Sequence, residues 1–330
     1  MWRFRPFLPI DPGEDPVTLG EGDTPLLPLD RFGRRYGFAS LWLKDEGANP
    51  TGSFKARGMS TAFTRARAAG ATRFVIPTAG NAGVAAAAYA DRAGASVRVY
   101  APVSTPAAIL EQIQAFGGDL VCLEGHIGDC GRAARTYAAD SGAMDLSTLR
   151  EPYRIEGKKT LGLEVALQLE WKLPDAVVYP TGGGTGLIGM WRAFAELRRA
   201  GWVVGDLPRL CSVQAAGCAP VVRAFESGAS VCEPWPDPQT AASGLRVPAP
   251  LGGRLMLRAL RESGGTAIAV SDERLSAMAM ECAAEEGVDV SPEGGAALVA
   301  LVELKDRGLL GGRERIVVFN TGAGWLYRPP

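Results

Sequence analysis

The sequence predicts an α/β protein whose sheets are of the parallel type and carry helices on both faces. Short apolar runs alternate along the chain with longer segments that repeat apolar residues at helical spacing, which is typical of strands joined by crossover helices. Glycine-rich turns separate several of these runs from the helix that follows. With 330 residues, 47% of them hydrophobic, the chain is long enough to bury a large core in two lobes.

The first half of the chain begins irregularly and continues as alternating strands and helices. Residues 1–40 are rich in proline and glycine and predict loops with an edge strand. A turn of Asn, Pro, Thr, Gly and Ser then leads into a helix predicted at 54–69. The elements that follow are strand 73–77, helix 80–93, strand 97–101, helix 106–116, strand 120–123 and helix 128–139.

The second half repeats this alternation. Its first elements are helix 158–171, strand 176–180, helix 186–200 and strand 210–213. An irregular stretch with five prolines follows at 230–250, and such a stretch is expected at a surface or at the mouth of a cleft. The last elements are helix 252–262, strand 266–270, helices 272–286 and 293–307, and strand 315–319. We expect a small lobe at 45–150, inserted in a larger lobe made of 1–44 and 151–330.

Composition and charge exclude several classes of function. The formal net charge of −1 provides no basic footprint for nucleic acid and no polybasic arm for a membrane. The most apolar stretch, 82–90, is far shorter than the roughly 20 residues that span a bilayer. The six cysteines form no Cys-x-x-Cys pair and the single histidine is His126, so neither a disulfide framework nor a zinc cluster is predicted. We therefore expect a cytoplasmic protein without a nucleic-acid, membrane or metal partner.

Lys55 stands in the first turn of the helix predicted at 54–69. The amino terminus of a helix is partly positive, so an ammonium group there is unfavourable. Such a lysine is either a solvated surface side chain or an amine kept neutral. A neutral amine can attack a carbonyl carbon, and lysine loses its proton readily when it is desolvated. Position alone favours the surface interpretation, so the residues around Lys55 decide the matter.

A glycine-rich loop follows the strand predicted at 176–180. It reads Thr-Gly-Gly-Gly-Thr-Gly from Thr181, and its backbone N–H groups can converge on a phosphate beside the positive end of a helix. Gly184-x-Gly186-x-x-Gly189 formally matches the dinucleotide fingerprint of NAD enzymes. That fingerprint also needs an acidic residue after the next strand, where this chain has Ser212-Val213-Gln214-Ala215. The loop therefore predicts a phosphate site that lacks the second half of an NAD site.

Two further polar turns follow apolar strands. Thr78-Ala79-Gly80-Asn81-Ala82 opens an alanine-rich helix, where a hydroxyl and an amide can cap the helix or receive a carboxylate. The strand at 315–319 runs into Asn320-Thr321-Gly322. A plain helix cap and a plain strand end are the structural alternatives at these two places.

Taken together, these motifs resemble those of the fold-type II pyridoxal-phosphate (PLP) enzymes. That family includes threonine synthase, serine/threonine dehydratase, cysteine synthase and the tryptophan synthase β chain. Asn-Pro-Thr-Gly-Ser-Phe-Lys-x-Arg-Gly at 49–58 is similar to the family's lysine motif, and the other motifs follow in the family's order. The resemblance covers nearly the whole chain. It implies the two-lobed, three-layer αβα fold of PLP fold-type II, with parallel-type sheets and helices on both faces.

The resemblance also implies roles for individual residues. Lys55 would be the catalytic residue and hold PLP as a Schiff base, with Phe54 beside the cofactor. Asn81 would contact the 3′-oxygen of PLP, and Thr321 the pyridine nitrogen, which a neutral hydroxyl cannot keep protonated as an aspartate would. The residues around the cofactor phosphate would be Gly182, Gly183, Gly184, Thr185 and Gly186. The residues near the substrate would be Thr78, Ala79, Gly80, Ala82, His126 and Arg132.

Within the family the chain looks most like threonine synthase. Gly20-Glu21-Gly22-Asp23-Thr24-Pro25-Leu26, for example, resembles the lead-in of that enzyme. Threonine synthase converts O-phospho-L-homoserine and water to L-threonine and phosphate, by γ-elimination followed by addition at Cβ. The resemblance thus implies a lyase of amino-acid metabolism, with a small amino-acid substrate. Because members of the family are commonly dimers, we also expect a homodimer.

Three departures from the threonine synthase pattern leave other reactions open. Ala79 and Ala82 lack the hydroxyls that meet the substrate phosphate, and Gly125-His126 stands where a Gly-Asn pair is usual. Glu151 places an anion where a phosphate requires a donor. A serine/threonine dehydratase-like β-eliminating enzyme, or a β-replacing enzyme acting on another amino acid, is therefore the alternative. A third interpretation is an NAD-dependent protein or a non-catalytic binding module. Binding of PLP by the wild type, with loss of that binding in Lys55→Ala, would exclude this interpretation.

Overall fold

The structure, a computed structural model, describes residues 1–328. Contacts along the chain group it into two compact units. Of the described residues, unit 1 comprises 1–23, 49–160 and 326–328, and unit 2 comprises 24–48 and 161–325. The lobe boundaries given above from the sequence stay a prediction.

The elements alternate between strand and helix over most of the chain. The strands are β1 Leu26–Pro28, β2 Ser40–Asp45, β3 Arg73–Pro77, β4 Ser96–Pro102, β5 Asp119–Leu123, β6 Met144–Asp145, β7 Ala176–Pro180, β8 Arg209–Ala215, β9 Thr266–Val270 and β10 Arg315–Asn320. The helices are α1 Asp30–Tyr36, α2 Lys55–Ala68, α3 Asn81–Arg92, α4 Ala107–Ala115, α5 Ile127–Ser141, α6 Tyr153–Gln168, α7 Thr185–Arg199, α8 Pro220–Glu226, α9 Gly253–Glu262, α10 Asp272–Glu286 and α11 Pro292–Asp306. Short 3-10 turns lie at Trp2–Phe7, Glu46–Ala48, Pro50–Gly52, Ser243–Leu245 and Gly324–Tyr327.

Unit 1 is built on a four-stranded sheet in the order β5-β4-β3-β6, with every pair parallel. The helix α3 packs against α2 and β4, and its alanines from Ala85 to Ala88 are buried. Small side chains on α3 let its neighbours approach closely. The larger side chains of the core come from other elements, as where Phe63 and Phe74 stack with ring centres 4.5 Å apart.

Unit 2 is built on a six-stranded sheet in the order β1-β2-β10-β7-β8-β9. All pairs are parallel except β1 with β2. Every residue of β7 is buried, as expected for a central parallel strand that is covered on both faces. Because β10 lies between β2 and β7, the polar residues that follow β10 and β7 reach the same edge of the sheet.

The prediction of an α/β fold with parallel-type sheets is confirmed. The strands predicted at 73–77 and 176–180 match β3 and β7 to the residue. The largest error concerns α6, predicted at 158–171 but found five residues earlier at its start and three residues earlier at its end. The Glu151 carboxylate accepts the backbone N–H of Arg154 at 3.0 Å and so caps an earlier first turn. At the other end, Glu170 and Trp171 have φ values of 54° and 62°, which no α-helix contains.

Within residues 1–328, no helix combines the length and the apolar composition needed to cross a membrane. The same residues contain no group of three or more His, Cys, Asp or Glu side chains placed to hold a metal ion. All six cysteines are free thiols.

Candidate active site

Lys55 is the first residue of α2, at the place the sequence predicts. The helix has no side-chain cap at Phe54, so the N–H groups of its first turn make the end of the helix positive. The Lys55 side chain is half-buried, and its Nζ lies 4.1 Å from the centre of the Phe54 ring. Partial burial and the positive helix end both favour the neutral amine, which is the form that bonds to an aldehyde.

The turn before Lys55 contains two buried side-chain hydroxyl groups. Thr51 lies in the left-handed region with φ 62°, a conformation that is costly for a β-branched residue and that clusters at functional sites. The Thr51 and Ser53 hydroxyl oxygens are buried, with no hydrogen-bond partner among the described residues. Buried hydroxyls of this kind usually have a partner, so the turn fits a place where a polar ligand binds.

The asparagine loop joins β3 to α3, and the Pro50–Gly52 turn packs against α3. Unit 1 thus brings the lysine motif and the asparagine loop together. The Thr78 hydroxyl donates to the Gly80 carbonyl at 2.9 Å and accepts the Gly80 N–H at 3.1 Å, so it shapes its own loop. Gly80 provides no side-chain cap for α3, so the positive amino-terminal end of the helix is not covered by a side chain of its own cap residue.

Asn81 has an amide oxygen, Oδ1, that is buried without a partner in the described part of the chain. Its Nδ2 donates to the Tyr327 hydroxyl at 3.2 Å. A hydroxyl can donate as well as accept, so the Tyr327 hydroxyl can pair with either end of the Asn81 amide. Either end of the Asn81 amide can therefore face a ligand. This suits the contact with a ring oxygen that the resemblance implies.

His126 and Arg132, the two residues predicted near a substrate anion, lie at the start of α5. His126 is the residue before the helix, and its backbone N–H donates to the Asp129 carboxylate at 2.8 Å. The Arg132 guanidinium is 67% exposed and pairs with the same carboxylate. These contacts hold the pKa of Asp129 below its usual range, with the His126 N–H as the largest cause. A substrate role for these two residues stays a prediction.

The glycine loop of unit 2 lies between β7 and α7. Gly184 has φ 79° and precedes α7 without any side-chain cap, so the start of α7 presents the positive end of a helix, which favours an anion. A Cβ atom at Gly182 would lie 2.2 Å from the Gly244 carbonyl oxygen, and a Cβ atom at Gly186 would lie 1.9 Å from the Tyr179 hydroxyl. No other residue type fits these two positions. The loop therefore has a backbone that suits a phosphate, and the phosphate contacts of 182–186 stay a prediction.

Thr321 follows β10 at the same edge of the sheet, and only 7% of it is exposed. Val318 on β10 lies opposite Val178 on β7; because both strands run in the same direction, Thr321 ends up level with the start of the glycine loop. Asn320, just before it, donates to the Asp45 carboxylate at 2.8 Å. Unit 2 therefore brings Thr321 and the loop of 182–186 together.

Each unit, taken by itself, contains groups of the kinds that PLP requires. In unit 1 these are the Lys55 amine, the unpartnered oxygens of Ser53 and Asn81 and the uncapped start of α3. In unit 2 they are the uncapped glycine loop and the buried Thr321. An aldehyde needs an amine, a phosphate needs convergent N–H groups, and a pyridine nitrogen needs a polar neighbour. The sequence names a residue or loop for each requirement, and these assignments stay predictions.

The contacts of two supporting residues could not be predicted from the sequence. Glu293 accepts the Gly244 N–H at 2.7 Å and so holds the carbonyl that faces Gly182. Tyr327 contacts Asn81 from the far end of the chain. Nothing in the sequence pairs the segment around Gly244 with the helix start at Glu293. No pattern marks Tyr327.

The fold and these two groups of residues define a PLP-dependent enzyme of the parallel α/β type. Residues 17–322 match the model of the family described as "Pyridoxal-phosphate dependent enzyme". The chain is 36% identical to a threonine synthase of Methanosarcina acetivorans, over 98% of this chain and 79% of that protein. It is 33% identical to a threonine synthase of Methanocaldococcus jannaschii, over 98% and 80%. The structure of maize serine racemase superposes with a TM-score of 0.78 at 22% identity, covering 91% of this chain and 88% of that one.

The chain thus belongs to the pyridoxal-phosphate dependent enzyme family and, within it, is homologous to the threonine synthases. The predictions of family, PLP cofactor and enzyme class are confirmed. The interpretations as an NAD-dependent protein and as a non-catalytic binding module are thereby excluded. The similarity to maize serine racemase bears on the fold alone.

Proposed function

We propose that this enzyme converts O-phospho-L-homoserine and water to L-threonine and inorganic phosphate. The observation that carries the proposal is the 36% identity to a threonine synthase along 98% of the chain. The reaction combines loss of phosphate from Cγ with addition of water at Cβ. It needs one group that moves protons between neighbouring carbons and an electron-withdrawing cofactor.

Lys55 is the proton-moving group in this proposal. When bound, PLP supplies an electron sink for the charge that develops at the substrate's α-carbon. The Lys55 amine takes the α-proton, since partial burial and the positive helix end both favour its neutral form, which can act as a base. The same amine then returns protons to adjacent carbons. Phe54 restricts where the amine can lie, because the Nζ is 4.1 Å from its ring centre.

The remaining residues orient the reacting groups. Asn81 contacts the 3′-oxygen of the cofactor, and Gly182, Gly183, Gly184, Thr185 and Gly186 contact its phosphate. Thr321 faces the pyridine nitrogen with a neutral hydroxyl, which favours elimination and replacement over transamination. Thr78, Ala79, Gly80 and Ala82 receive the α-carboxylate of the substrate at the uncapped start of α3.

His126 and Arg132 are the proposed contacts of the substrate phosphate. Arg132 pairs with Asp129 in this structure, and because its guanidinium is exposed, exchange of that partner for a phosphate costs little. His126 would replace the amide that is usual in the family.

A dehydratase-like β-elimination is the second candidate, and Glu151 is the observation that favours it. Its side chain is buried, and its Oε1 has no hydrogen-bond partner in the described chain. A buried carboxylate oxygen attracts a donor and repels a phosphate dianion. A hydroxyl leaving group, as in serine or threonine, meets no such repulsion.

The test is to incubate the PLP-loaded protein separately with O-phospho-L-homoserine and with L-threonine, and to follow phosphate, threonine and 2-oxobutyrate. Phosphate release with formation of threonine supports the synthase. 2-Oxobutyrate from threonine, without phosphate release in the other reaction, refutes it in favour of a dehydratase. Lys55→Ala is the control, since it must abolish either activity while leaving the fold intact by circular dichroism.

Assembly as a homodimer and a cytoplasmic location complete the proposal. Light scattering coupled to size exclusion measures the mass in solution directly. A mass near twice the 34.7 kDa of one chain is the expected result, and a mass of one chain would contradict it.

A further inference from the structure

Lys158 is a second buried amine beside the lysine motif. Its side chain is 0% exposed, and its Nζ lies 5.2 Å from the centre of the Phe54 ring. The Lys55 Nζ lies 4.1 Å from the same centre. The two amines are therefore less than about 10 Å apart, a separation at which charges in a protein interior change each other's proton affinity.

Close packing of α6 on α2 brings Lys158 to this position. A Cβ atom on Gly58 would lie 3.0 Å from the Arg154 carbonyl oxygen and 3.1 Å from Cε of Lys158. Gly58 follows Lys55 by three residues on α2, so the two share one face of the helix. The Lys158 side chain thus lies against the face that carries Lys55.

The charged groups around Lys158 carry an excess of positive charge. Burial, then Arg154, then Lys55 lower the pKa of Lys158 well below its ordinary value. Glu151 raises the pKa of Lys158. Burial raises the pKa of the Glu151 carboxyl. Asp145 partly offsets the effect of burial, which lowers the pKa of Arg154. With all of these groups charged, the buried region would hold more cations than anions, so loss of a proton from one lysine is favoured.

The choice of lysine at 158 also matters in this chain. The sequence contains six lysines against 29 arginines, and five of the six lysines are at least partly buried, with Lys172 the exposed one. An arginine would provide the same positive charge at 158. It could not release a proton under any condition met by a protein.

We propose that Lys55 and Lys158 form a coupled pair of amines that holds a single proton near neutral pH, and that this proton resides on Lys158 when the Lys55 amine bonds to an aldehyde. The proton moves from Nζ of Lys55 to Nζ of Lys158, whose proton affinity rises once the positive charge of Lys55 is lost. The Lys55 nitrogen uses its free electron pair for the new C–N bond, the C=O bond of the aldehyde breaks, and the oxygen leaves as water with the two hydrogens that remain on the amine. No further reactant is required. Lys158 is thus a positioning residue, which acts through Lys55. The proposal needs Lys55 as the cofactor lysine but does not depend on the substrate.

A coupled pair has a distinctive pH dependence. Between its two macroscopic pKa values the pair carries one proton, and the fraction of molecules with a neutral Lys55 is nearly constant. A single lysine behaves differently, because its neutral fraction falls about tenfold for each pH unit below its pKa. The shape of a pH profile therefore distinguishes the two cases.

The direct test is nuclear magnetic resonance of the full-length chain, freed of PLP and labelled with ¹³C and ¹⁵N on lysine. Six lysines give six side-chain signals, which single substitutions assign. We expect Lys158 to titrate below the ordinary lysine value of about 10.4. Lys55→Ala should raise the Lys158 midpoint by about one pH unit, and Lys158→Gln should raise the Lys55 midpoint by a similar amount. Lys172→Gln, which removes an exposed amine, should change neither midpoint.

The second test follows covalent attachment of PLP to the apoprotein by visible absorption at a series of pH values. In the wild type the attachment rate should change by less than about threefold between pH 6.5 and 8.5. In Lys158→Gln the rate should fall about tenfold for each unit by which the pH is lowered. Lys158→Met provides a second neutral variant if Lys158→Gln does not fold. If both misfold, the Lys158 titration in Lys55→Ala decides. An ordinary midpoint for Lys158, midpoints insensitive to the partner lysine, or parallel rate profiles would each overturn the proposal.

Discussion

In the glycine loop, the absence of Cβ atoms determines how closely neighbouring residues can pack against the candidate site. Four of the five residues at 182–186 are glycine, which lets backbone N–H groups converge on a phosphate. The structure adds a second reason, since the Gly244 carbonyl, the Met256 sulfur and the Tyr179 hydroxyl occupy the places where side chains would begin. These neighbours come from other parts of the chain. A local motif therefore predicts the loop but not the atoms that enclose it.

Replacement of Gly182 by alanine should weaken PLP binding. The new Cβ would lie 2.2 Å from the Gly244 carbonyl oxygen, and Glu293 holds that backbone segment in place. We expect a loss of about 1–3 kcal/mol of stability and at least about tenfold weaker binding of PLP, measured by absorption titration. Gly128→Ala on α5 is the matched control, since its Cβ meets nothing within 4 Å. Unchanged PLP affinity in Gly182→Ala would show that the loop does not bind the cofactor.

The cysteines should differ sharply in their reactivity. Burial raises the pKa of both Cys211 and Cys282 to about 12, so at pH 8 these thiols carry almost no thiolate, the form that reacts. Cys122 is exposed. Iodoacetamide at pH 8 should therefore modify Cys122 within minutes and leave Cys211 and Cys282 unmodified in the native protein, as read by peptide mass spectrometry. Equal labelling of the three cysteines would contradict this burial pattern, and labelling in urea is the control for accessibility.

At the scale of elements, the long periodic segments were predictable and the short ones were not. The three-turn and longer helices and the buried strands are predicted within a few residues, because their hydrophobic repeats span the whole element. The helices α1 and α8 have seven residues each and lack a side-chain cap, so neither leaves a pattern. The start of α6 was misplaced because its cap is a glutamate side chain, Glu151, which precedes the first helical residue.

The packing of α6 on α2 should be essential for Lys55. A Cβ atom at Gly157 would lie 2.2 Å from the Arg57 carbonyl oxygen, so alanine at this position forces the two helices apart. We expect Gly157→Ala to cost about 1–3 kcal/mol of unfolding free energy, measured in urea, and to slow PLP attachment. Gly131→Ala on α5 should instead preserve or raise stability, because it gains helix propensity and meets only the end of the Arg135 side chain, at 3.5 Å. Equal stability of the two variants would refute the packing argument.

At the scale of the whole molecule, the family and the cofactor were predictable but the substrate is still a proposal. A cofactor constrains the backbone and the order of motifs along the chain, and both are visible in a sequence. A substrate is selected by the ends of side chains such as Arg132 and Glu151, whose partners depend on the fold. The structure pairs Arg132 with Asp129 and leaves one oxygen of Glu151 without a partner. Neither arrangement follows from residue type or spacing.

Binding of PLP should stabilise the whole protein, and variants can show which residues contribute. A ligand that binds only the folded state adds RT ln(1 + [L]/Kd), or about 2.7 kcal/mol at a hundredfold excess over Kd. We expect PLP to raise the midpoint of thermal unfolding in the wild type, and Lys55→Ala to need much more PLP for the same rise because it forms no covalent bond. Asn81→Ala and Gly182→Ala, one in each unit, should each reduce the rise, whereas Gly128→Ala should retain it. A full rise in either of the two site variants would remove that residue from the cofactor contacts, and an identical PLP dependence in Lys55→Ala would remove Lys55 as the cofactor lysine.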